Sequence, residues 1–542
     1  MSEGYLALVL HTHLPFVKHP EHERPLEERW LHEALFECYL PLLDVFDRLT
    51  REDIPFAITM SLTPPLAAML EDNLLRTRFE DHLDRLIHLC EREVERTEHD
   101  PYFGPIARFY QHRLDRARAT WVACGGRVVK ALAAYHATGQ LELITSSATH
   151  AYLPGLLPCP GALRAQLRLG AAAFHHLVGH RPLGIWLPEC AYDPCFDREI
   201  ADSGLRFTIL DAHGLRHARP RPAFDIHHPV ISSSGVAFFA RDQHSSEQVW
   251  SRESGYPGNP YYRDFYRDIG YDLPEEQLHG EVGPFNTRVM TGLKYYRITG
   301  KTDQKLPYMP GVAEDCARRD ALDFLKNRSG HAYHLAPLMP VPPVIVAPYD
   351  SELFGHWWFE GPQFLEWIFR HAHTHHPHAI RPITLRGYLD RFPTALEATP
   401  AASSWGAGGH GKVWVGPAAA HFWRHVHHAS HRIEHLARRN HDAAGIRGEA
   451  LDLAIRELLL LQTSDWPFIL STATTVEYAE ARLRAHASRV RRLCGMVEAE
   501  SMREADVLWM RDLNQRDSFL SGLSSRVLRG AFLEERPFQM IS

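Results

Sequence analysis

The sequence of 542 residues lacks an uninterrupted apolar run of the roughly 18 residues that a membrane-spanning helix needs. Its first ten residues, MSEGYLALVL, contain neither a basic segment nor a cleavage site of the kind that signal peptides carry. The eight cysteines are scattered and form no CxxC pair, a pattern typical of reduced thiols and unlike a disulfide framework or a structural zinc site. We therefore expect a cytoplasmic protein with no membrane partner.

Basic residues are not in excess either. The chain has 59 lysines and arginines against 66 aspartates and glutamates, which gives a formal net charge of -7 and a pI near 6.6. This balance argues against nucleic acid as a partner and favours a neutral one. Because the chain exceeds the size that one hydrophobic core usually reaches, we expect a main domain with one or two subordinate ones.

Seven short apolar runs recur in the first two thirds of the sequence, and helical patterns separate most of them. The runs are continuous and do not alternate, as expected for strands that are buried on both faces of a parallel sheet. Repeated strand and helix units with right-handed crossovers form either a doubly wound sheet or a barrel. The runs are YLALVL (5–10), FAITM (56–60), LELIT (141–145), GIWL (184–187), RFTIL (206–210), VAFFA (236–240) and VIVA (344–347).

Polar residues follow each of these runs. In chain order they read HTH, SLT, SSATH, PE, DAH, RDQH and PYD. Enzymes built on β/α barrels carry their active sites at the carboxyl ends of the strands. The pattern therefore favours a sevenfold or eightfold β/α barrel, with these residues as a candidate ring around its site.

Three long segments depart from plain alternation of strands and helices. Residues from about 64 to 140 predict a helical insert, and residues from about 243 to 340, which include SGYPGNPYYRDFYRDIGYD, predict an inserted flap. After ATPAASSWGAGGHG (398–411), a linker-like stretch, long helical patterns follow. We therefore expect a catalytic barrel domain over 1–397 and an all-helical C-terminal domain over 398–542 that contributes to the substrate cleft.

Two acidic residues stand at the ends of predicted strands in similar contexts. Glu189 follows GIWLP, and Asp350 follows VIVAPY and precedes a cluster of aromatic residues. Two carboxylates that face one cavity suit glycosidic bond chemistry, in which one attacks the anomeric carbon and the other protonates the leaving oxygen. The alternative is that both are acids at helix N-termini, where they stabilise the helix dipole.

The 37 histidines allow a further interpretation, a metal site. His176 and His180 lie four apart in a predicted helix, and with the HTH motif and Asp211 or Asp242 they would supply ligands of the kind that zinc hydrolases and deacetylases use. Such pairs also arise by chance in a chain this rich in histidine. The residues alone therefore leave open an enzyme that acts on glycosides, a metal-dependent hydrolase and a non-catalytic binding protein.

Five stretches resemble, in order, the five signature regions of glycoside hydrolase family 57. They are HTHLP, ITSSATHAYLP, GIWLPECAY, APYDSELFGHWWFEGP and LLQTSDWPF, and together they span residues 11 to about 468. The residues of these stretches are most similar to those of the 1,4-α-glucan branching enzymes, the subgroup with a helical C-terminal domain. The resemblance implies an α/β fold with a distorted (β/α)7 barrel, and retaining cleavage of an α-1,4-glucan with transfer of the chain to a 6-hydroxyl.

The resemblance also implies roles for individual residues. Glu189 matches the nucleophile of the family and Asp350 its acid/base. His11, His13 and His150 match residues around the reacting sugar, where neutral imidazoles are expected to hydrogen-bond glucose hydroxyls. The further substrate-binding positions are Tyr256 on a loop over the active site, Arg263, Gly280, Trp357, Trp358, Trp405, Trp414, Asp465 and Trp466.

We expect an α-1,4-glucan as the substrate, no metal or other cofactor, and a monomer or small homo-oligomer. Two activities of the same family, α-amylase and 4-α-glucanotransferase, stay as alternatives, because hydrolase and transferase differ only in whether water or an acceptor reaches the covalent intermediate. A metal-dependent polysaccharide deacetylase and a non-catalytic glucan-binding protein are the alternatives from other classes.

Overall fold

The computed structural model describes residues 4–251, 253–283, 287–374, 380–394 and 396–533. The strands within these residues are Tyr5–Thr12 (β1), Ile58–Leu62 (β2), Leu141–Ile144 (β3), Gly184–Ile185 (β4), Phe207–Leu210 (β5), Val230–Ile231 (β6), Ala237–Ala240 (β7), Val344–Asp350 (β8) and Arg381–Pro382 (β9).

Seven of these strands form a closed parallel barrel. Strand β1 pairs with β2 and β8, β2 with β3, β4 with β5, and β5 with β7. Thr145 after β3 forms a parallel bridge with Ile185 of β4. The Asp242 amide after β7 donates to the Val346 carbonyl of β8 at 2.8 Å, which closes the ring. The strands follow one another in chain order, and the predicted (β/α)7 barrel is confirmed because all seven apolar runs contribute to it.

Strand β1 shows why the apolar runs do not alternate. Leu6 and Leu8 belong to the core between the ring and its helices, whereas Ala7 and Val9 belong to a second core inside the ring. All eight residues of the strand are buried, and the six before His11 are apolar on both faces. Each fully buried aliphatic side chain contributes about 1.5–3 kcal/mol to folding.

The helices of the first part of the chain surround this ring. A π-helical turn, Leu35–Tyr39, joins the first two of them. They are Glu28–Ala34 (α1), Leu40–Arg51 (α2), Pro64–Glu71 (α3), Asn73–Arg96 (α4), Phe103–Ala123 (α5), Val128–Ala137 (α6), Pro160–Val178 (α7), Asp197–Asp202 (α8), Ala212–Arg216 (α9), Gln243–Trp250 (α10), Ile269–Asp272 (α11), Pro310–Leu335 (α12), Gly361–Thr374 (α13) and Leu385–Arg391 (α14).

Both long inserts contain helices. The segment between β2 and β3 holds α3 to α6, and the segment between β7 and β8 holds α10, α11 and α12. Helix α12 has 26 residues and buries Ala313, Ala317 and Ala321, whose spacing of four places them on one face. The sequence predicts a flap in this second segment. In the structure, about a quarter of the segment is instead a single helix, α12, with one buried face.

The last part of the described chain is helical. Its central helix, Gly445–Leu461, is buried on several sides because it packs against helices that precede and follow it in the sequence. The helices are Lys412–Val415 (α15), Ala420–Arg439 (α16), Gly445–Leu461 (α17), Asp465–Thr472 (α18), Val476–Glu498 (α19), Glu504–Arg516 (α20) and Ser525–Gly530 (α21). No helix in the described part of the chain combines the length and the apolar character needed to cross a membrane.

Candidate active site

A cavity of about 960 Å³ lies at the carboxyl ends of the barrel strands. At this end His11 of β1 is paired with Ser61 of β2 on one side and with Asp350 of β8 on the other. The loops after the strands form one wall of the cavity, and the segment from 405 to 468 forms another. The predicted site residues that line it are His11, His13, His150, Glu189, Asp350, Trp357, Trp405, Trp414 and Asp465.

Glu189 extends into this cavity from a short turn after β4. Pro188 precedes it, and its backbone has φ 64° and ψ 21°, the left-handed region that costs a residue other than glycine on the order of 1–3 kcal/mol. Trp405 Nε1 donates to its Oε2 and Ser464 Oγ to its Oε1, both at 2.7 Å. Burial raises the pKa of Glu189 to about 7, although both hydrogen bonds favour the ionised carboxylate.

Asp350 lies at the end of β8 among charged neighbours. Burial raises the pKa of Asp350 well above its usual range, and the nearby carboxylates of Glu352 and Glu189 raise it further, against Arg241. Glu352 also lines the cavity and accepts a hydrogen bond from the Tyr39 hydroxyl. Burial raises the pKa of Glu352 to about 6. Of the two carboxyl groups Glu189 and Asp350, Asp350 is therefore the one that is suited to carry a proton.

Two histidines form a continuous set of hydrogen bonds with serines. His11 Nδ1 bonds to Ser61 Oγ at 2.6 Å, and His11 Nε2 bonds to His150 Nε2 at 2.9 Å. His150 Nδ1 bonds to Ser464 Oγ at 2.9 Å. Burial lowers the pKa of both imidazoles well below the usual range, so both are neutral, as the sequence predicted. All four ring nitrogens already have protein partners, which differs from the expectation that these nitrogens bond sugar hydroxyls.

His13 and Asp465 form a pair across the two walls of the cavity. His13 Nε2 bonds to Asp465 Oδ2 at 3.1 Å, and His13 Nδ1 bonds to Thr63 Oγ1 at 3.1 Å. Burial opposes ionisation of Asp465, yet His13 and the Thr463 hydroxyl lower the pKa of Asp465 to about 2. An ionised carboxylate at this depth can accept hydrogen bonds from a ligand's hydroxyls.

Ligand atoms of His13, His150 and Asp465 lie within 4.8 Å of one another, a grouping that can hold a metal ion. Their hydrogen bonds already use both nitrogens of each imidazole and one oxygen of the carboxylate. Hydrogen-bonded imidazoles and a carboxylate also suit an uncharged polyhydroxyl ligand. The donor set therefore fits either ligand, and the hydrogen bonds favour the second.

The other metal interpretation of the sequence rested on two histidines of one helix. Helix α7 ends at Val178, and Gly179 follows with φ 85°, so His176 and His180 do not share a helical face. Asp211 forms an ion pair with Arg241.

The remaining aspartate of that set is also engaged elsewhere. Asp242 forms an ion pair with Arg328 at 3.0 Å and accepts from the Ser245 amide at the start of α10. The residues of this alternative zinc set therefore do not share a helical face or are engaged in other ion pairs.

Three of the predicted contact residues are buried away from the cavity. Trp358 is 2% exposed and packs against Phe364, with ring centroids 4.8 Å apart. Trp466 is 1% exposed and donates through Nε1 to the Leu460 carbonyl. Their neighbours in sequence line the site, because successive residues of a turn face different sides.

Arg263 is the third of these residues. Its guanidinium pairs with Glu37 at 3.1 Å, and His356 Nδ1 bonds to the same carboxylate at 2.6 Å. Burial opposes ionisation of Glu37, but Arg263 and His356 lower the pKa of Glu37 to about 2. The ion pair joins Arg263 to Glu37 of the π-helical turn, and neither residue lines the cavity.

Two further predicted residues lie outside the cavity on its insert side. Tyr256 lines a second cavity of about 730 Å³, where its hydroxyl donates to Asp323 at 2.8 Å. Helix α10 contributes Trp250 to the first cavity and Gln248 to the second, so it separates the two. Gly280 has φ 83°, and its carbonyl accepts a bond from Arg24.

Sequence reasoning missed several residues at the site. Arg241 and Ser61 directly follow or end strands and belong to the candidate polar ring, but no role was assigned to them. Glu352 and Ser464 lie within the fourth and fifth signature stretches, one or two residues from a residue that was chosen. Their positions were available from the sequence, whereas their hydrogen-bond partners were not.

Two models of known protein families match the chain. Residues 7–398 match the model of glycosyl hydrolase family 57, and residues 425–527 match the model of the C-terminal domain of 1,4-α-glucan branching enzymes. A 1,4-α-glucan branching enzyme of Thermococcus kodakarensis is 30% identical over 99% of this chain and 79% of its own length.

Solved structures are similar over nearly the whole chain. The α-amylase AmyC of Thermotoga maritima has a TM-score of 0.90 and 37% identity, with 97% of this chain and 99% of that chain covered. A branching enzyme of the same family from Pyrococcus horikoshii has a TM-score of 0.86 and 28% identity, with 99% and 98% covered. Both similarities extend through the barrel and the C-terminal helices.

Proposed function

The chain belongs to glycoside hydrolase family 57, and from this premise we propose that it acts as a 1,4-α-glucan branching enzyme, a hexosyltransferase. One observation carries the chemistry: Glu189 and Asp350 line the same cavity from the ends of two parallel strands. The environment of Asp350 favours its protonated form, and two hydrogen bonds favour the ionised form of Glu189. This division suits a nucleophile and a proton donor.

The first step breaks the α-1,4 bond of a donor glucan. A carboxylate oxygen of Glu189 attacks C1 of a glucosyl unit while Asp350 transfers its proton to the departing 4-oxygen. The products are a glucan with a free 4-hydroxyl and a β-glucosyl ester on Glu189, and Asp350 is left ionised.

The second step uses the 6-hydroxyl of another glucan chain. Asp350 takes the proton of that 6-hydroxyl while the 6-oxygen attacks C1, and the ester bond to Glu189 breaks. An α-1,6 linkage forms, both carboxyl groups return to their starting states, and the configuration at C1 is retained.

The substrate-binding roles rest on side chains that face the cavity. Trp357 is 57% exposed and stacks on Phe265, with ring centroids 4.6 Å apart, so it offers an open aromatic face to a sugar. Trp405, Trp414 and Asp465 line the opposite wall. We assign Trp358, Trp466 and Arg263 a supporting role, since their side chains are buried and do not line the cavity.

The biological setting belongs to the same proposal. Branch formation serves the synthesis of glycogen or a related α-glucan, which takes place in the cytoplasm. We propose a monomer or a small homo-oligomer, since Glu189 and Asp350 of one chain face the same cavity.

An α-amylase is the second candidate, because AmyC of Thermotoga maritima is similar to this chain along its whole length. Both activities use the same carboxyl groups and the same ester. They differ in the acceptor, since water in the second step yields a new reducing end in place of a branch.

The deciding experiment measures both products from one incubation with amylose. New α-1,6 linkages, counted after enzymatic debranching, should greatly outnumber new reducing ends. Glu189→Gln and Asp350→Asn should each lower the rate by at least about 10⁴-fold, whereas Glu91→Gln, on the exposed side of α4, serves as the control. Reducing ends without branches would establish the amylase instead.

A further inference from the structure

We propose that Ser61, His11, His150 and Ser464 form an ordered hydrogen-bond relay that positions Glu189 for attack on the sugar. This inference rests on the proposed function, because it assigns the relay to the nucleophile of that reaction. The relay consists of the three bonds that join these four residues and the bond from Ser464 to Glu189, with lengths of 2.6, 2.9, 2.9 and 2.7 Å.

The direction of the relay follows from its last bond. An ionised carboxylate only accepts hydrogen bonds, so the single hydroxyl proton of Ser464 must point to Glu189 Oε1. The Ser464 oxygen can then only accept from His150 Nδ1, which must carry a proton. A neutral imidazole has one N–H, so His150 Nε2 is bare and acts as an acceptor.

The same reasoning fixes the first half of the relay. His11 Nε2 must donate to the bare nitrogen of His150, and His11 Nδ1 is therefore an acceptor. The hydroxyl of Ser61 fills that position as donor, and its oxygen accepts from the Thr12 amide at 3.3 Å. One proton arrangement satisfies every group when Glu189 is ionised.

Burial makes this arrangement difficult to replace with water. Ser61, His11, His150 and Ser464 are each at most 3% exposed. Hydrogen bonds in a chain polarise one another in such surroundings, and a missing member leaves a buried group without a partner.

Two residues of this hydrogen-bonded set have a strained backbone. His150 has φ 56° and Glu189 has φ 64°, both in the left-handed region. Strain of this kind persists where the surrounding structure requires a particular side-chain position. Both residues take part in the hydrogen bonds described above, His150 through its two ring nitrogens and Glu189 through Oε1.

The relay also connects separate parts of the chain. Ser61 lies near the end of β2, His11 lies in β1 and His150 follows β3. Ser464 lies 275 residues beyond Glu189, at the start of α18. The position of the nucleophile therefore depends on how the C-terminal helices sit on the barrel.

The test compares Ser464→Ala, Ser61→Ala and the double variant through the pH dependence of kcat/KM, whose acidic limb reports the free nucleophile. The other titratable groups that interact with Glu189 are unchanged in these variants; they are Asp465, His13, His150, Asp350, Tyr152 and Cys190. Ser464→Ala should lower kcat/KM by about 10- to 100-fold and move the acidic limb to higher pH.

Ser61→Ala should move that limb in the same direction, with a smaller loss on the order of 3-fold. Because Ser464→Ala already interrupts the relay, the double variant should match Ser464→Ala alone, and Ser464→Thr should restore most of the activity. Additive losses, or an acidic limb that Ser61→Ala leaves in place, would overturn the relay.

Neutron diffraction from the wild-type protein at about pH 8.5, above the pKa near 7 of Glu189, gives an independent readout. Deuterium should be present on His11 Nε2 and His150 Nδ1, and the opposite tautomer of either imidazole would refute the relay. Glu189→Gln separates the two proposals, since an active Glu189→Gln variant contradicts the proposed function, whereas an inactive variant together with the wrong tautomers in the wild-type protein contradicts only the relay.

Discussion

Trp405 holds Glu189 by two hydrogen bonds, one from its indole Nε1 to Oε2 at 2.7 Å and one from its backbone amide to the Glu189 carbonyl at 2.9 Å. Trp405 lies 216 residues further along the chain, where the barrel gives way to the C-terminal helices. The segment around Trp405 is therefore part of the site and not a passive connection.

Trp405→Phe should lower kcat/KM by about 10- to 150-fold, because a hydrogen bond to a charged group contributes roughly 1.5–3 kcal/mol. The ring stays in place, so binding of a maltooligosaccharide should change much less than the rate. Steady-state kinetics together with calorimetric binding to the variant test this prediction, with Trp509→Phe on α20 as the matched control. A loss confined to KM would contradict a role in holding the carboxylate.

Glu352→Gln should move the basic limb of the pH profile to lower pH. The negative charge of Glu352 raises the pKa of Asp350, so removing that charge lets Asp350 lose its proton at lower pH. The profile of kcat/KM against pH measures this shift, and Glu352→Asp, which keeps the charge, should retain the wild-type limb more closely. A basic limb that Glu352→Gln leaves unchanged would exclude Asp350 as the group that titrates there.

Arg263→Ala should reduce the free energy of unfolding by about 3–5 kcal/mol, because it leaves Glu37 with an uncompensated part of its buried charge. Urea denaturation measures the loss. Arg51→Ala breaks an exposed pair with Asp47 and should cost about 0–1 kcal/mol. Unchanged stability with weakened glucan binding would instead support the contact with substrate that the family resemblance implied.

Exhaustive dialysis against a chelator should leave the activity unchanged, because the nitrogens of His13 and His150 bond to protein partners. His13→Ala should lower the rate of transfer by at least roughly 10-fold, since Asp465 loses a charged hydrogen bond. Activity assays and elemental analysis before and after dialysis test both statements. A loss that added zinc restores would favour a metal site at His13, His150 and Asp465.

The strands of the barrel were predictable because burial on both faces leaves an unambiguous pattern. A strand such as YLALVL must be apolar at every position, and all seven such runs form strands in the structure. The position of Glu189 and Asp350 at one end of the ring followed from the same pattern, since the carboxyl ends of parallel strands meet there.

The details of the site could not be predicted in the same way. The residue type alone does not show whether a tryptophan faces a cavity, as Trp357 does, or the core, as the adjacent Trp358 does. The bond from Ser464 to Glu189 joins residues 275 apart. Contacts between distant segments depend on how the domains pack, and a single sequence carries no record of that packing.

The wall that the C-terminal helices add to the cavity has a consequence for a chain that is still being made. Ser464 is added 275 residues after Glu189, which at about 5–20 residues per second means a delay of about 14 to 55 s. Throughout that time the carboxylate lacks the serine donor, and for most of it the tryptophan donor as well. A nascent chain that has just passed Glu189 therefore lacks both side-chain donors to that carboxylate, and the serine bond forms only after helix α18 has been synthesised and has docked.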